Sequence, residues 1–128
     1  MKKLLVFDDD KTQGLIKTAC QNQCEVPLVD SESDPLSIIE MENPELVLLG
    51  FSKEAQSLIE AIKKKSPHLR VAIINGERSF CESLLNAGAD NFFESPLDMG
   101  RLQNYLMGEG IINEPFLRVR PLDSDDEK

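Results

Sequence analysis

Short apolar runs alternate with longer amphipathic segments along most of the chain. The short runs are rich in Val, Leu, Ile and Phe, which predicts buried strands. The predicted strands are residues 4–7, 26–29, 45–49, 71–74 and 91–93. The second prediction is the weakest of the five. Pro27 cannot donate a hydrogen bond to a neighbouring strand, which favours a place at a sheet edge or a strand start.

Between these runs, apolar residues recur at the spacing of helices. Ser33-Asp34 followed by Pro35 marks the start of the second helix, and Gly88 ends the short fourth helix. The predicted helices are residues 11–23, a helix from 33–35 onward, 54–65, a short helix around 80–88, and 97–107. Five strands alternating with five helices predict an α/β protein whose parallel sheet is covered on both faces.

The chain of 128 residues fits one core, with an extension at its end. After Gly110 the sequence becomes charged and contains Pro, so we assign residues 1–112 to one domain and 113–128 to a C-terminal tail. Within the tail, residues 116–120 alternate apolar and basic side chains like a short strand.

The net charge of −9 narrows the classes of partner. An acidic chain without a basic stripe repels nucleic acid, so we expect no nucleic-acid partner. No apolar run approaches the roughly 18–20 residues of a membrane span. The apolar start of the chain runs directly into Asp8-Asp9-Asp10 without a cleavage site, so we expect a cytoplasmic protein that does not bind membranes.

Three cysteines, Cys20, Cys24 and Cys81, form no disulfide framework, because their number is odd. Cys20 and Cys24 lie four residues apart and could share a helix face. A zinc site would need further Cys or His ligands, and His68 is the only histidine. We therefore expect free thiols that are buried or half-buried.

Two stretches of the sequence carry motifs of a known family. One is the first strand, which ends in Asp8-Asp9. The other is the run Gly88-Ala89-Asp90-Asn91-Phe92-Phe93-Glu94-Ser95-Pro96. Together they resemble the receiver domain of response regulators over residues 2–110. The resemblance implies a flavodoxin-like (βα)5 three-layer sandwich with strand order 2-1-3-4-5. It also implies a cis peptide bond between Ser95 and Pro96.

The chain departs from this family at the positions that carry its chemistry. Receivers place a phospho-accepting Asp after the third strand, a Thr or Ser after the fourth and a Lys before the proline. Here those positions hold Gly50, Asn75 and Ser95. Glycine has no nucleophile, the Asn75 amide stands in place of the hydroxyl, and the neutral hydroxyl of Ser95 stands in place of the ammonium; the hydroxyl and the ammonium bind phosphoryl oxygens in receivers. The loop that begins at Phe51 is also several residues shorter than in receivers.

The remaining acids, Asp8 and Asp9, correspond to the pair that holds Mg²⁺ in receivers. Without a carboxylate at position 50, they could bind Mg²⁺ only weakly. The alternative is that they cap loops and the first helix. We expect no other cofactor.

Our leading hypothesis from the sequence is a pseudo-receiver: a receiver-like domain that is not phosphorylated and not an enzyme. It would bind protein partners in a two-component-type pathway. The expected contact surface, which could also form a homodimer, is the face made by the fourth helix, fifth strand and fifth helix. Its residues are Phe92, Phe93, Leu97, Met99, Leu102, Tyr105 and Leu106. Phe92 also occupies the place of the receiver's switch aromatic, and we expect it in one fixed, core-like position.

Two alternatives remain open from the sequence. In the first, the domain takes part in a phosphorelay through an unconventional acceptor, Asp8, Asp9 or Ser52. No base is predicted near Ser52 or Ser95, because His68 falls at the far end of the sheet. In the second, the space left by Gly50 admits a nucleotide, flavin or other small ligand. Against it, no Gly-rich phosphate loop follows the first strand.

Overall fold

The structure, a computed structural model, describes residues 2–30 and 32–113. The strands in this part of the chain are β1 (Leu4–Phe7), β2 (Leu46–Gly50), β3 (Arg70–Gly76) and β4 (Asn91–Glu94). The helices are α1 (Asp10–Cys20), α2 (Pro35–Glu42), α3 (Ala55–Lys65), α4 (Cys81–Ala87) and α5 (Met99–Gly108), and a short 3₁₀ helix at Arg78–Phe80 leads into α4. The predicted tail from residue 114 onward lies outside the described residues.

The strands form one parallel sheet in the order β1-β2-β3-β4. Because successive side chains of a strand point to opposite faces, the sheet feeds two apolar clusters. Leu4 and Val6 enter one cluster together with α1 and α5, whereas Leu5 enters the other with α2, α3 and α4. The result is the three-layer, flavodoxin-like α/β arrangement that the sequence predicted.

The predicted strand at residues 26–29 is not a strand in the structure. The chain makes a single parallel bridge there, between Lys3 and Glu25. The Leu4 amide donates to the Glu25 carbonyl, and the Glu25 amide donates to the Lys2 carbonyl, both at 2.8 Å. This contact uses the edge of β1 opposite β2, so the segment runs where the second strand of the predicted order belongs. Pro27, which has no amide hydrogen, explains why the ladder stops.

The Gln13 side chain of α1 forms hydrogen bonds with backbone groups of this segment that a neighbouring strand would otherwise bond. Gln13 is only 5% exposed. Its Oε1 accepts from the Val29 amide at 3.1 Å, and its Nε2 donates to the carbonyls of Val29 and Asp8, each at 3.0 Å. The carboxamide therefore does the work of a peptide group in a neighbouring strand. Sequence reasoning overlooked Gln13, although its spacing from Ile16 and Cys20 puts it on the buried face of α1.

Two helix boundaries differ from the predicted ones by more than one residue. The helix predicted to reach residue 23 ends at Cys20, because Gln21 and Asn22 adopt left-handed backbone angles with φ of 51° and 63°. The last helix begins at Met99, since Asp98 caps it by accepting a hydrogen bond from the Arg101 amide. In the described part of the chain, no helix has the length and apolar character needed to cross a bilayer.

Candidate functional site

The carboxyl ends of the parallel strands bring three of the predicted site positions together. Asp8 follows β1, Gly50 ends β2 and Asn75 lies near the end of β3. The register pairs Phe7 with Leu49 and Gly50 with Ile74. Ligands of open α/β sheets bind at this edge.

Asp8 and Asn75 are joined by a hydrogen bond. Asn75 Nδ2 donates to Asp8 Oδ2 at 3.1 Å, and the other oxygen, Asp8 Oδ1, accepts from the Asp9 amide at 2.7 Å. Asn75 has a φ of 55°, a left-handed conformation that Asn adopts more readily than most residues. The amide therefore holds the acid by a direct contact that sequence reasoning did not anticipate.

Gly50 lies where a side chain would have no room. A Cβ added there would stand 2.7 Å from the Phe7 carbonyl oxygen and 2.9 Å from Asp8 Cγ. Real Cβ atoms essentially never approach a neighbour so closely. The Asp8 carboxyl group thus packs into the space into which an acceptor side chain at position 50 would project. The glycine is required by packing as well as being unreactive.

Asp9 caps the N-terminus of α1. Its Oδ1 accepts a hydrogen bond from the Thr12 amide at 2.7 Å, which makes it the N-cap residue. This hydrogen bond to the charged carboxylate lowers the pKa of Asp9 below its ordinary value. Asp8 and Asp9 therefore serve different partners, and the helix-capping alternative is confirmed for Asp9.

These residues fit Mg²⁺ poorly. Asp9 caps a helix, Asp8 is bound by Asn75, and Gly50 offers no third carboxylate, whereas Mg²⁺ demands near-ideal octahedral coordination. Within residues 2–30 and 32–113, no group of three or more His, Cys, Asp or Glu side chains is placed to hold a metal ion. Weak binding of Mg²⁺ by Asp8 and Asp9 stays a prediction.

Ser95 lies at this edge but does not join the Asp8–Asn75 pair. Its amide donates to the Gly76 carbonyl at 2.9 Å, its side chain is exposed, and its peptide bond to Pro96 is cis, as predicted. Ser52 is also exposed, in the short connection from β2 to α3. The single histidine, His68, lines a cleft of about 570 Å³ at the opposite end of the sheet. It cannot serve either serine as a base.

Phe92 packs directly against Gly76. A Cβ at Gly76 would collide with the Phe92 ring, so the ring occupies the space above this glycine. Phe92 is partly buried and contacts the apolar cluster that contains α3 and α4. Its core-like placement is as expected.

The predicted contact surface is wrong for three of its residues. Phe93 is 3% exposed, and Leu102 and Leu106 are completely buried. Phe93 points to the sheet face opposite Phe92, where the inner side of α5 covers it. The other α5-side members, Leu97, Met99 and Tyr105, are half-buried against the same cluster.

The apolar side chains exposed near this face belong instead to α4 and the turn before it. Phe80 is 45% exposed and Leu85 is 42% exposed. The Phe80 ring also packs on Phe51, with a centroid distance of 5.1 Å. Beside Phe51 and Gly50 the surface opens into a cleft of about 270 Å³. Its lining includes Phe7, Asp8, Val29, Asp30, Ser33, Pro35, Leu49, Ser52 and Leu58.

Comparison with known proteins identifies the architecture. No model of a known protein family matches the sequence, and no curated protein matches it. Among solved structures, an orphan response regulator of H. pylori is 18% identical with a TM-score of 0.74, over 84% of this chain and 95% of that one. A response regulator from Thermotoga maritima is 19% identical with a TM-score of 0.74, over 85% and 97%. The chain has a receiver fold.

A third structure with the receiver fold belongs to an atypical orphan response regulator. It is 20% identical to this chain with a TM-score of 0.71, over 85% of this chain and 94% of that one. At such identities the likeness extends to the arrangement of helices and strands, and the chemistry has to be argued from the residues at the carboxyl ends of the strands.

Proposed function

We propose that this chain acts in response-regulator-type signal transduction as a receiver-like module that binds protein partners without phosphorylation of an aspartate. The observation that carries the proposal is the packing of Asp8 against Gly50. The space of an acceptor side chain is filled by a neighbouring carboxyl group, which Asn75 holds in place. An incoming phosphoryl group would meet a fixed carboxylate, and the position of the receiver's Lys holds the neutral Ser95.

The position of Phe92 supports the same conclusion. In a switch, a ligand shifts the population between two arrangements by binding one of them better. Here the ring already fills the space above Gly76, and Asn75 is engaged with Asp8 rather than free to meet a phosphoryl group. We expect this arrangement to persist whether or not a phosphodonor is present. The atypical orphan response regulator with a similar structure has a phosphorylation-independent regulatory mechanism.

Protein partners suit the surface better than nucleic acid or a membrane does. The chain carries a net charge of −9, which opposes binding to phosphate backbones and anionic lipids. Phe80 and Leu85 offer exposed apolar area of the kind that protein interfaces bury. We propose neither a catalytic activity nor a cofactor for the domain.

The first test exposes the full chain to acetyl phosphate, or to beryllofluoride, with Mg²⁺. We expect intact mass to show no phosphoryl adduct and the amide spectrum around Phe92 to stay unchanged. A phosphorylatable receiver treated in parallel shows that the reagents are active. A stoichiometric adduct would refute the proposal. Hydrolysis of that adduct in mild base would assign it to an acyl phosphate on Asp8 or Asp9, and its loss in Ser52→Ala would assign it to Ser52.

The second test addresses the partner surface. Leu85→Glu places a charge on the exposed side of α4, and Met41→Glu places the same charge at a 69% exposed position on α2. We expect Leu85→Glu to abolish capture of partners or self-association, measured by pull-down and light scattering, and Met41→Glu to leave both intact. If the two variants capture partners and self-associate to the same extent, α4 is not part of the interface.

A further inference from the structure

Residues 25–30 beside β1, the edge segment, form the outer edge of the sheet. Glu25 bonds to β1, and Val29 bonds to a side chain of α1. Successive residues of an extended chain point their N–H and C=O groups to opposite sides, so those of Val26 and Leu28 point away from β1. In the described part of the chain, neither residue makes a backbone–backbone hydrogen bond. Leu28 is also 84% exposed, so this edge offers an incoming strand both backbone groups and apolar area.

The described chain ends at this same edge. The amide of Asn113 donates to Gln23 Oε1 at 2.6 Å, and Gln23 lies just before the edge segment. The two residues before Asn113 are buried in the cluster that also contains Val26. Phe116 follows Asn113 by as many positions as Val26 follows Gln23. Three extended residues span roughly 10 Å, so the sequence that follows reaches the edge segment without a loop.

The pattern of residues 116–120 is that of an edge strand. Leu117 and Val119 are apolar, and Arg118 and Arg120 are basic. In a strand the two pairs lie on opposite faces, and the apolar pair suits the exposed leucine of the edge segment. Prolines flank the stretch, and within sheets proline is confined to edge strands, strand starts and bulges.

The two stretches also carry opposite charges. The edge segment contains Glu25 and Asp30, both exposed, and no Lys or Arg, whereas residues 116–120 contain two arginines and no acid. Residues 123–127, near the end of the chain, carry four acids, which the acidic edge repels. Charge complementarity therefore selects residues 116–120 as the occupant of this edge.

We propose that residues 116–120 dock on the edge segment of the same chain as an additional parallel strand. Both stretches start from the contact between Gln23 and Asn113, which sets the parallel direction. Backbone hydrogen bonds join the docked strand to Val26 and Leu28, and the strand withdraws the sheet edge from pairing with other chains. This surface lies at the opposite edge of the sheet from β4, so docking leaves α4 free for the proposed protein partners.

The first experiment measures amide hydrogen exchange of the full chain by NMR. Arg118→Pro together with Val119→Pro removes two successive amides, one of which faces the edge segment. The matched control is Ser124→Pro together with Asp125→Pro, in the acidic end of the chain. We expect the Leu28 amide to exchange roughly tenfold faster in the first variant than in the parent chain, and at the parent rate in the control. Equal exchange in the parent and both variants would overturn the proposal.

Measurement at two protein concentrations separates the chain's own tail from that of a second copy. Docking within one chain gives the Leu28 amide the same exchange rate at both concentrations. Protection that increases with concentration would refute docking within one chain. The Val29 amide, which donates to Gln13, should stay protected in every variant, because the edge segment itself remains folded.

The second experiment tests the surface with an arginine-specific protease. Leu28→Lys removes the apolar contact and repels the arginines, and Met41→Lys makes the same change at a 69% exposed position of α2. We expect cleavage after Arg118, identified by the mass of the released peptide, to be several-fold faster in Leu28→Lys than in the parent chain. Met41→Lys should be cleaved at the parent rate. If both variants are cleaved at one rate, residues 116–120 do not dock on the edge segment.

Discussion

The sheet edge beside β1 and the carboxyl end of the sheet each lack a feature that receivers have, and in each place a side-chain amide makes the replacement contact. At the edge, Gln13 replaces strand hydrogen bonds to Val29. At the carboxyl end, Asn75 holds Asp8 beside Gly50. The two sites differ in burial, because Gln13 is 5% exposed whereas Asn75 is half-buried. Water cannot replace the buried Gln13 amide, so we expect the hydrogen bonds of Gln13 to stabilise the fold. Water can replace the half-buried Asn75 amide, so we expect the hydrogen bond of Asn75 to stabilise only the local arrangement of Asp8.

The largest effect is expected from Gln13→Leu. The substitution leaves the Val29 amide, the Val29 carbonyl and the Asp8 carbonyl without their partner. Each unsatisfied buried group costs about 1–3 kcal/mol, so the loss of three partners should lower the free energy of unfolding by at least about 3 kcal/mol. Urea denaturation measures it. The matched control is Gln56→Leu, at an exposed position of α3, where a change within about 0.5 kcal/mol is expected.

If Gln13→Leu and Gln56→Leu unfold at the same urea concentration, the edge amide has no special role and the contrast between the two sites fails. Amide hydrogen exchange sharpens the test, because the Val29 amide should lose its protection in Gln13→Leu while the amides of β3 keep theirs.

Gly50→Ala tests the packing at the carboxyl end. The new methyl group would press on the Phe7 carbonyl and on the Asp8 carboxyl group, and overpacking of this kind costs about 1–3 kcal/mol. Gly14→Ala is the control, since a Cβ at Gly14, inside α1, meets nothing within 4 Å. Alanine there should stabilise by about 0.5–1 kcal/mol through helix propensity. Effects of opposite sign support the close packing at Gly50, and equal effects would contradict it.

The sequence predicts most of the strands and the substituted positions at the carboxyl end of the sheet. It does not predict the hydrogen bonds that join residues far apart in the chain. Apolar runs located the strands around Val6 and Leu48 because buried parallel strands require them. The family motifs identified Gly50 and Asn75 as substituted positions. The hydrogen bond between Asn75 and Asp8 spans 67 positions of sequence, and only the assembled sheet brings the two residues together.

The errors in the predictions have the same origin. Phe93 and Leu102 were assigned to a surface because an apolar residue near a sheet edge has the same sequence pattern whether a helix covers it or not. The strand predicted around Pro27 is reduced to one bridge. Pro27 interrupts the ladder, and the Val29 groups that could have continued it bond to Gln13, a residue in another element. In both cases the deciding partner lies outside the local window that periodicity examines.

A smaller effect, with a definite pH dependence, is expected at Asp9. Its pKa is lowered in the folded chain from the ordinary value of 3.8 by the hydrogen bond from Thr12. A lowered pKa contributes stability that is present above the unfolded value and is lost as pH falls through the folded value. Asp9→Ala should therefore destabilise the chain less at about pH 3 than at about pH 7, as urea denaturation at both pH values would show.

Asp9→Asn is the matched control for this pH dependence, because Asn caps helices as well as Asp does but carries no titrating charge. The Asn variant should stay close to the parent chain at neutral pH. A difference between Asp9→Ala and the parent that grows on acidification would contradict the cap.

The smallest effect should come from Asn75→Gly, which removes the amide and keeps a residue that tolerates the φ of 55°. The lost hydrogen bond to Asp8 is half-buried, and water can replace it at little enthalpic cost. We expect a change below about 1 kcal/mol. Asn75→Ala should cost more than Asn75→Gly, by about 1–2 kcal/mol, because alanine resists the left-handed conformation. If Asn75→Gly costs as much as Gln13→Leu, the contact at Asp8 is as necessary to the fold as the contact at the sheet edge. The hydrogen bond between Asn75 and Asp8 would then stabilise the whole fold, as the hydrogen bonds of Gln13 do. The proposed difference between the two amides would be wrong.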